Sequence, residues 1–160
     1  MRLFRTTDGE LLGADTDYAN QSHGVNFSPT GDALVTTCDD GFIRRYTVSG
    51  IGLRLTKKAK ATNGKEPYSV RFSPDGTRLA IGYDDTFAIS VLSATNLAPR
   101  PAPNVSGVTN GDSGTVCWSA DGRFLYAGGK ANKASGQYFL RRWSDGGAGA
   151  FVDLPAADNT

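Results

Sequence analysis

The chain of 160 residues is poor in the side chains from which most active sites are built, with one histidine, one methionine and two cysteines. A Cys–His dyad would need His23 beside Cys38 or Cys117, and the repeat described below gives no reason for them to meet. Gly-rich phosphate loops, HExxH, GxSxG and CxxC are all missing, so catalytic residues and cofactors are not expected. Charge of one sign is not in excess either, with 17 Lys plus Arg against 16 Asp plus Glu. A domain held by phosphate contacts carries a basic surplus, and nucleic acid is therefore not an expected partner. No apolar run approaches the roughly 18 residues of a membrane span, which argues against a membrane partner. The start, Met1-Arg-Leu-Phe-Arg5 followed by Thr6-Thr-Asp-Gly-Glu10, has neither the apolar stretch nor the cleavage site of an export signal.

Helical periodicity is almost absent too, because Gly and Pro recur and strand formers fill the runs between them. What the chain does have is repetition. Val25-Asn-Phe-Ser-Pro-Thr-Gly31 returns as Val70-Arg-Phe-Ser-Pro-Asp-Gly76 and as Val116-Cys-Trp-Ser-Ala-Asp-Gly122, with the serines 45 and 46 residues apart. That is the period of four-stranded units and exceeds the roughly 34 residues of helical-hairpin repeats. Where the turn reads Ser-Pro-x-Gly, proline fixes φ and glycine supplies a permissive residue, so one strand stops and reverses into a second. The second strands are Ala33-Leu-Val-Thr-Thr-Cys38, Arg78-Leu-Ala-Ile-Gly-Tyr83 and Phe124-Leu-Tyr-Ala-Gly128.

A third strand, Phe42-Ile-Arg-Arg-Tyr46, aligns with Phe87-Ala-Ile-Ser-Val91 at an offset of 45 and with Phe139-Leu-Arg-Arg-Trp143 at 97. The second offset exceeds two repeats by six residues, which fall in 128–137 and enlarge one inter-strand loop, whose stretch 130–136 is the first surface to mutate in search of a partner. Fourth strands are expected at Gly52-Leu-Arg-Leu-Thr56, near Asn96-Leu-Ala98, and at Ala150-Phe-Val-Asp-Leu154. Pro99, Pro101 and Pro103 fit the second of these only as a sheet edge.

These units resemble WD40-type β-propeller repeats, in which a strand, an S-P-D-G turn, a strand, an Asp turn and a strand ending in an aromatic follow one another. Ser73-Pro-Asp-Gly76 is the most family-like turn, and Trp143 followed by Asp145 looks like the strand-end Trp and its acidic residue. Tyr46 and Phe4 look like degenerate versions of that Trp. The usual Gly-His pair is inverted as His23-Gly24 and missing elsewhere, so the His-Ser-Asp-Trp network of well-formed blades is not expected. The ending, Leu140 to Trp143, Phe151 to Pro155 and Ala157-Asp-Asn-Thr160, also resembles propeller regions accompanying bacterial caspase-like (peptidase C14) domains. That resemblance implies an interaction or sensing module rather than the catalytic part.

Other motifs have plain structural readings. Cys38 and Cys117 fall in blades that are not neighbours, beyond the roughly 7 Å that a disulfide spans; they read as two small buried thiols, and free thiols suit a reducing, cytoplasmic setting. Asp15-Thr-Asp17, Asp39-Asp40 and Asp84-Asp85 do not match the spacing of a calcium loop, and the last two recur at turns, where they cap backbone. Lys57-Lys-Ala-Lys60 reads as a solvated edge strand carrying protective lysines. Arg44 and Arg141 fall on one strand face and Arg45 and Arg142 on the other, with stems between blades and heads reaching solvent or a turn Asp. The triplets Asn20-Gln-Ser22 and Asn104-Val-Ser106 fit glycosylation acceptors, but no export signal accompanies them.

The expected fold is all-β, a WD40-like propeller arc of about three and a half four-stranded blades in an open or incomplete ring. Residues 1–22 would be the outer half of a truncated blade, 23–66, 67–113 and 114–160 the three whole ones. The expected function is a non-catalytic scaffold, a fragment of a larger protein, that binds a protein partner or other domains of its own polypeptide. Its open blade edges would favour self-association. The alternative is part of a lactonase-like propeller hydrolase with a metal in the central channel, which needs inward-pointing Asp, Asn, Glu or His from several blades.

Overall fold

A computed structural model describes residues 1–50, 52–132 and 138–155. Among the described residues thirteen strands form four antiparallel sheets, and the one helical segment is a 3-10 turn at Asp145–Gly147. Strands β1 (Arg2–Phe4) and β2 (Leu11–Ala14) make a two-stranded sheet. Strands β3 (Ser22–Phe27), β4 (Ala33–Cys38), β5 (Phe42–Ser49) and β6 (Gly52–Lys60) form blade one in that order. Blade two contains β7 (Pro67–Phe72), β8 (Arg78–Tyr83) and β9 (Ser90–Ser93); blade three contains β10 (Thr115–Trp118), β11 (Leu125–Gly128), β12 (Phe139–Trp143) and β13 (Phe151–Pro155). No helix among the described residues is long and apolar enough to cross a membrane.

The repeated turns work through their serines. The Ser73 hydroxyl accepts the Arg78 N–H at 3.0 Å and donates to Asp75 Oδ1 at 2.5 Å, while the Gly76 N–H closes the turn on the Ser73 carbonyl at positive φ. Ser119 does the same with the Phe124 N–H and Asp121. In the first copy Thr30 stands where the others have Asp, and Asp32 accepts from Ser28 instead, at 2.8 Å. Ser73 is fully buried. Ser73→Ala strands the Arg78 N–H and is expected to lower the unfolding free energy by about 1–3 kcal/mol in denaturant titration.

Blade two corrects two sequence expectations. Its third strand pairs Leu79 with Leu92, where blade one pairs Leu34 with Tyr46 and blade three Leu125 with Trp143. The offset from blade one is thus 46 rather than 45, and Ser90, Val91 and Leu92 occupy the places of Arg44, Arg45 and Tyr46. The cause lies in the turn. Blade one closes on Gly41 at φ 83° with Asp40 capping the Phe42 N–H, whereas blade two has Thr86 in place of the glycine. The Asp85 carboxylate there turns outward to the Lys65 and Glu66 N–H groups, and the strand begins only at Ser90. The fourth strand is reduced to a bridge between Leu92 and Pro99, with the Arg100 N–H bonded to the Val91 carbonyl. Prolines 99, 101 and 103 have no N–H with which to continue the ladder.

The core lies between blades. One cluster joins Val35 and Ile43 of blade one to Val70, Phe72, Leu79, Ile81 and Tyr83 of blade two. Another joins Ala80, Ile89 and Val91 of blade two to Val116, Leu125, Ala127 and Trp143 of blade three. Blade two therefore buries its leading face on blade one and its trailing face on blade three. Inner strands meet closely at Gly24, where an added Cβ would lie 2.6 Å from the Tyr68 carbonyl.

Candidate functional site

Repeat symmetry identifies the surfaces that this packing leaves open. On the leading face Val70 and Val116 are 0% and 1% exposed, whereas their equivalent Val25 is 54% exposed with Phe27 beside it. On the trailing face Ile43 and Ile89 are each 1% exposed, whereas their equivalent Leu140 is 37% exposed. Leu140 pairs across the sheet with Leu154, and Val152 with Arg142, so an apolar patch covers the outer part of blade three. Arg45 shows what this face does when covered: its Nε donates to the Ala94 carbonyl of blade two at 2.8 Å. Its equivalent Arg142 lies over the Phe124 ring, 4.6 Å from the centroid.

Of the two courses expected for these arginines, solvent or a turn Asp, Arg44 takes the second, whereas Arg141 takes neither, and both heads are buried. Arg44 does reach the turn carboxylate of Asp40, at 2.6 Å, donates to the Asp17 carbonyl and lies over the Tyr18 ring at 4.2 Å. Tyr18 bonds Thr36 and Tyr46, and the Tyr46 hydroxyl donates to Asp15 at 2.7 Å. Burial and the bonds to Tyr18 and Asp15 hold the Tyr46 phenol far above its usual range. Arg141 pairs with Asp153, its cross-strand neighbour, at 2.6 Å and donates to the Asn104 and Ser106 carbonyls. The Trp143 indole N–H also donates to the Asn104 carbonyl. Both arginines thus fasten the segment entering a blade to its third strand, in place of the His-Ser-Asp-Trp network.

The inner strands converge on a cleft of about 330 Å³ lined by Asn26, Phe27, Arg71, Cys117 and Trp118 with the Ser-Pro turns. Asn26, Arg71 and Cys117 are repeat equivalents. The Asn26 side-chain carbonyl accepts the Phe72 N–H and the Trp118 indole N–H donates to the Arg71 carbonyl, so these groups also tie adjacent blades. The expectation of two buried thiols holds only for Cys38. Cys117 is exposed on the cleft side of β10, while the Cys38 thiol donates to the Asn20 carbonyl and is raised above its usual pKa by burial.

His23 lies within β3 and meets neither cysteine. Its Nε2 is 2.9 Å from Asp39, and its ring stacks on Tyr68 at 4.6 Å. Among the acidic turn residues Asp40 and Asp85 cap backbone. Lys57, Lys58 and Lys60 lie on the outer strand β6, and Lys58 pairs with Asp17 at 2.5 Å. Of the enlarged loop, residues 133–137 lie outside the described residues, as do 156–160 of the ending; the Lys130 N–H donates to the buried Asp112 carboxylate at 3.3 Å.

The described sheets define an all-β, WD40-like propeller arc. Residues 19–46 and 57–89, which take in β3, β4 and most of β5 in blade one and β7 and β8 in blade two, match the family model for the WD domain, G-beta repeat. Among solved structures, a chain described as "Dihydro-heme d1 dehydrogenase NirN in complex with DHE" is similar over 94% of this chain, with a TM-score of 0.71 and 18% identity. This chain spans 31% of that one, and the likeness is one of fold. No curated protein matches the sequence.

Proposed function

We propose that this chain is a non-catalytic scaffold within a larger propeller, meeting a protein partner or another part of its own polypeptide through its open blade faces. The observation that carries the reading is the exposure of Val25 and Leu140 at repeat positions that are buried wherever a neighbouring blade is present. WD40 repeats generally mediate protein–protein interaction, which supports the same reading. The likeness of the ending to propeller regions beside caspase-like peptidase domains supports an interaction or sensing role next to such a domain. Two free thiols, Cys38 and Cys117, support a cytoplasmic setting.

The rival reading, a lactonase-like hydrolase with a channel metal, needs acidic or neutral ligands at equivalent inner-strand positions. Those positions hold Asn26, Arg71 and Cys117, and the permanent cation of Arg71 opposes a metal there. Cross-linking mass spectrometry on the native polypeptide tests the scaffold. Leu140→Asp with Val152→Asp is expected to remove most cross-links from blade three to its partner segment while leaving those between blades one and two. Unchanged cross-links, or stoichiometric calcium or zinc in purified protein, would overturn the reading.

A further inference from the structure

Blade two lacks the buried arginine that its neighbours share. Ser90 stands at the place of Arg44 and Arg141, opposite Ile81 where they oppose Thr36 and Ala127. A second position changes with it: four residues after the paired leucines Leu34, Leu79 and Leu125 come Cys38, Tyr83 and Gly129, so blade two has a large side chain where the others have small ones. The Tyr83 and Ser90 hydroxyls meet at 2.7 Å. Beside them a cavity of about 130 Å³ lies between blades one and two. Its floor is Ile43, Tyr83, Ser90, Leu92 and Leu97, each at most 4% exposed, and its mouth opens at the exposed Lys60, Thr62 and Pro99. The two hydroxyls carry two protons and their mutual bond uses one; among the described residues no acceptor takes the other.

We propose that this cavity binds a small neutral aromatic molecule of about one ring carrying a single oxygen, its oxygen accepting the spare proton of the Tyr83–Ser90 pair and its ring lying against Ile43, Leu92 and Leu97. The inference stands apart from the scaffold reading, because the cavity is closed by blades one and two and involves no open blade face. Volume and lining set the class of guest. An apolar cavity of about 150 Å³ stays dry and takes up benzene, so the space here suits one six-membered ring. Water is a poorer occupant, since it needs about two to four polar partners and the side chains of the floor offer only the hydroxyl pair. A cation is excluded by charge. The neighbouring blades hold their guanidinium heads with Asp40 and Asp153, whereas no carboxylate lines this cavity and its one charged residue is Lys60. The turn carboxylate that could have served, Asp85, is bonded to the Lys65 and Glu66 N–H groups instead.

Methyl-detected NMR of the full chain titrated with phenol and with benzene tests this. The methyl signals of Ile43, Leu92 and Leu97 are expected to shift and saturate, with half-saturation by phenol at about 1 mM, while those of Val116 and Leu125 in the other cluster stay in place. Tyr83→Phe with Ser90→Ala removes both hydroxyls together and strands neither; it should weaken phenol by at least about fivefold and change benzene by less than about twofold. Ala59→Leu, directly opposite Ile43 on the outer strand, fills the cavity and should abolish binding of both compounds, its urea midpoint showing that the fold is kept; if that midpoint collapses, the hydroxyl-free variant decides. Shifts that never saturate, shifts that persist in a folded Ala59→Leu chain, or a phenol affinity unchanged without the hydroxyls overturn the proposal. So does displacement of phenol by methylguanidinium, since the cavity would then take the charged head that the neighbouring blades bury.

Discussion

Val70→Asp is expected to unfold the protein at 25 °C, while Val25→Asp at the equivalent position shifts stability by no more than about 0.5 kcal/mol. Val70 is fully buried between Val35, Ile43, Leu79 and Ile81, and burial of a valine contributes about 1.5–3 kcal/mol. A carboxylate in its place loses that contribution and adds the cost of an unpaired charge, several kcal/mol even after relaxation. The sum is comparable with the whole stability of a domain, about 5–15 kcal/mol. At Val25 the same carboxylate stays in water. Urea titration followed by circular dichroism reads the contrast directly; equal losses at both positions would show that the leading face of blade one is covered.

The repeat made much of this architecture legible. Strands β4 and β8 run from Ala33 to Cys38 and from Arg78 to Tyr83 as read from the sequence, because the Ser-x-x-Gly turns before them fix both start and register. The third strand of blade two lies one residue beyond the place the repeat gives it, because Phe87 resembles a strand start and nothing local reveals that the Asp85 carboxylate has left its own turn for the Lys65 and Glu66 N–H groups. One residue decides which face a strand shows: an offset of 45 sets Ile89 at the place of Arg44, where the structure has Ser90. Ser90 bonds the Tyr83 hydroxyl at 2.7 Å, a contact that needs the correct register to be seen.

The candidate surfaces were harder to read than the strands. Val25, Val70 and Val116 look alike in sequence, and only the arrangement of sheets separates the exposed one from the buried two. Arg44 and Arg141 could be assigned to one strand face, but their burial depends on carboxylates brought from a turn and from a neighbouring strand. A signal was nonetheless present for Arg141: counting back through the turn between β12 and β13 sets Asp153 directly opposite. Arg44 offers no such count for Tyr18 and the Asp17 carbonyl, which come from the segment preceding the blade.

The second large effect is expected at that arginine. Asp40→Ala leaves the Arg44 guanidinium buried with the Asp17 carbonyl and the Tyr18 and Phe42 rings but no carboxylate, and its Nε already has no acceptor among the described residues. Removing one partner of a buried pair costs about 3–5 kcal/mol, whereas replacing both by apolar residues of similar volume is often neutral. Asp40→Leu combined with Arg44→Met should therefore recover most of the loss. The pair also leaves a signature in acid. Burial by itself would raise the Asp40 carboxyl, but hydrogen bonds from Arg44 and from the Phe42 and Ala19 N–H groups outweigh it and hold the group well below its ordinary value of 3.8. A carboxylate depressed on folding contributes its full stabilisation above the unfolded value, near pH 4, and loses it as pH falls toward the folded value. Asp15, Asp75 and Asp121 are also held low, so the wild type softens in the same window. What isolates Asp40 is the difference between the wild type and the double variant: it should be constant from pH 5 to pH 8, about those limits, and should shift in favour of the double variant below pH 4. A difference independent of pH in acid would mean that Arg44 draws nothing from the charge of Asp40.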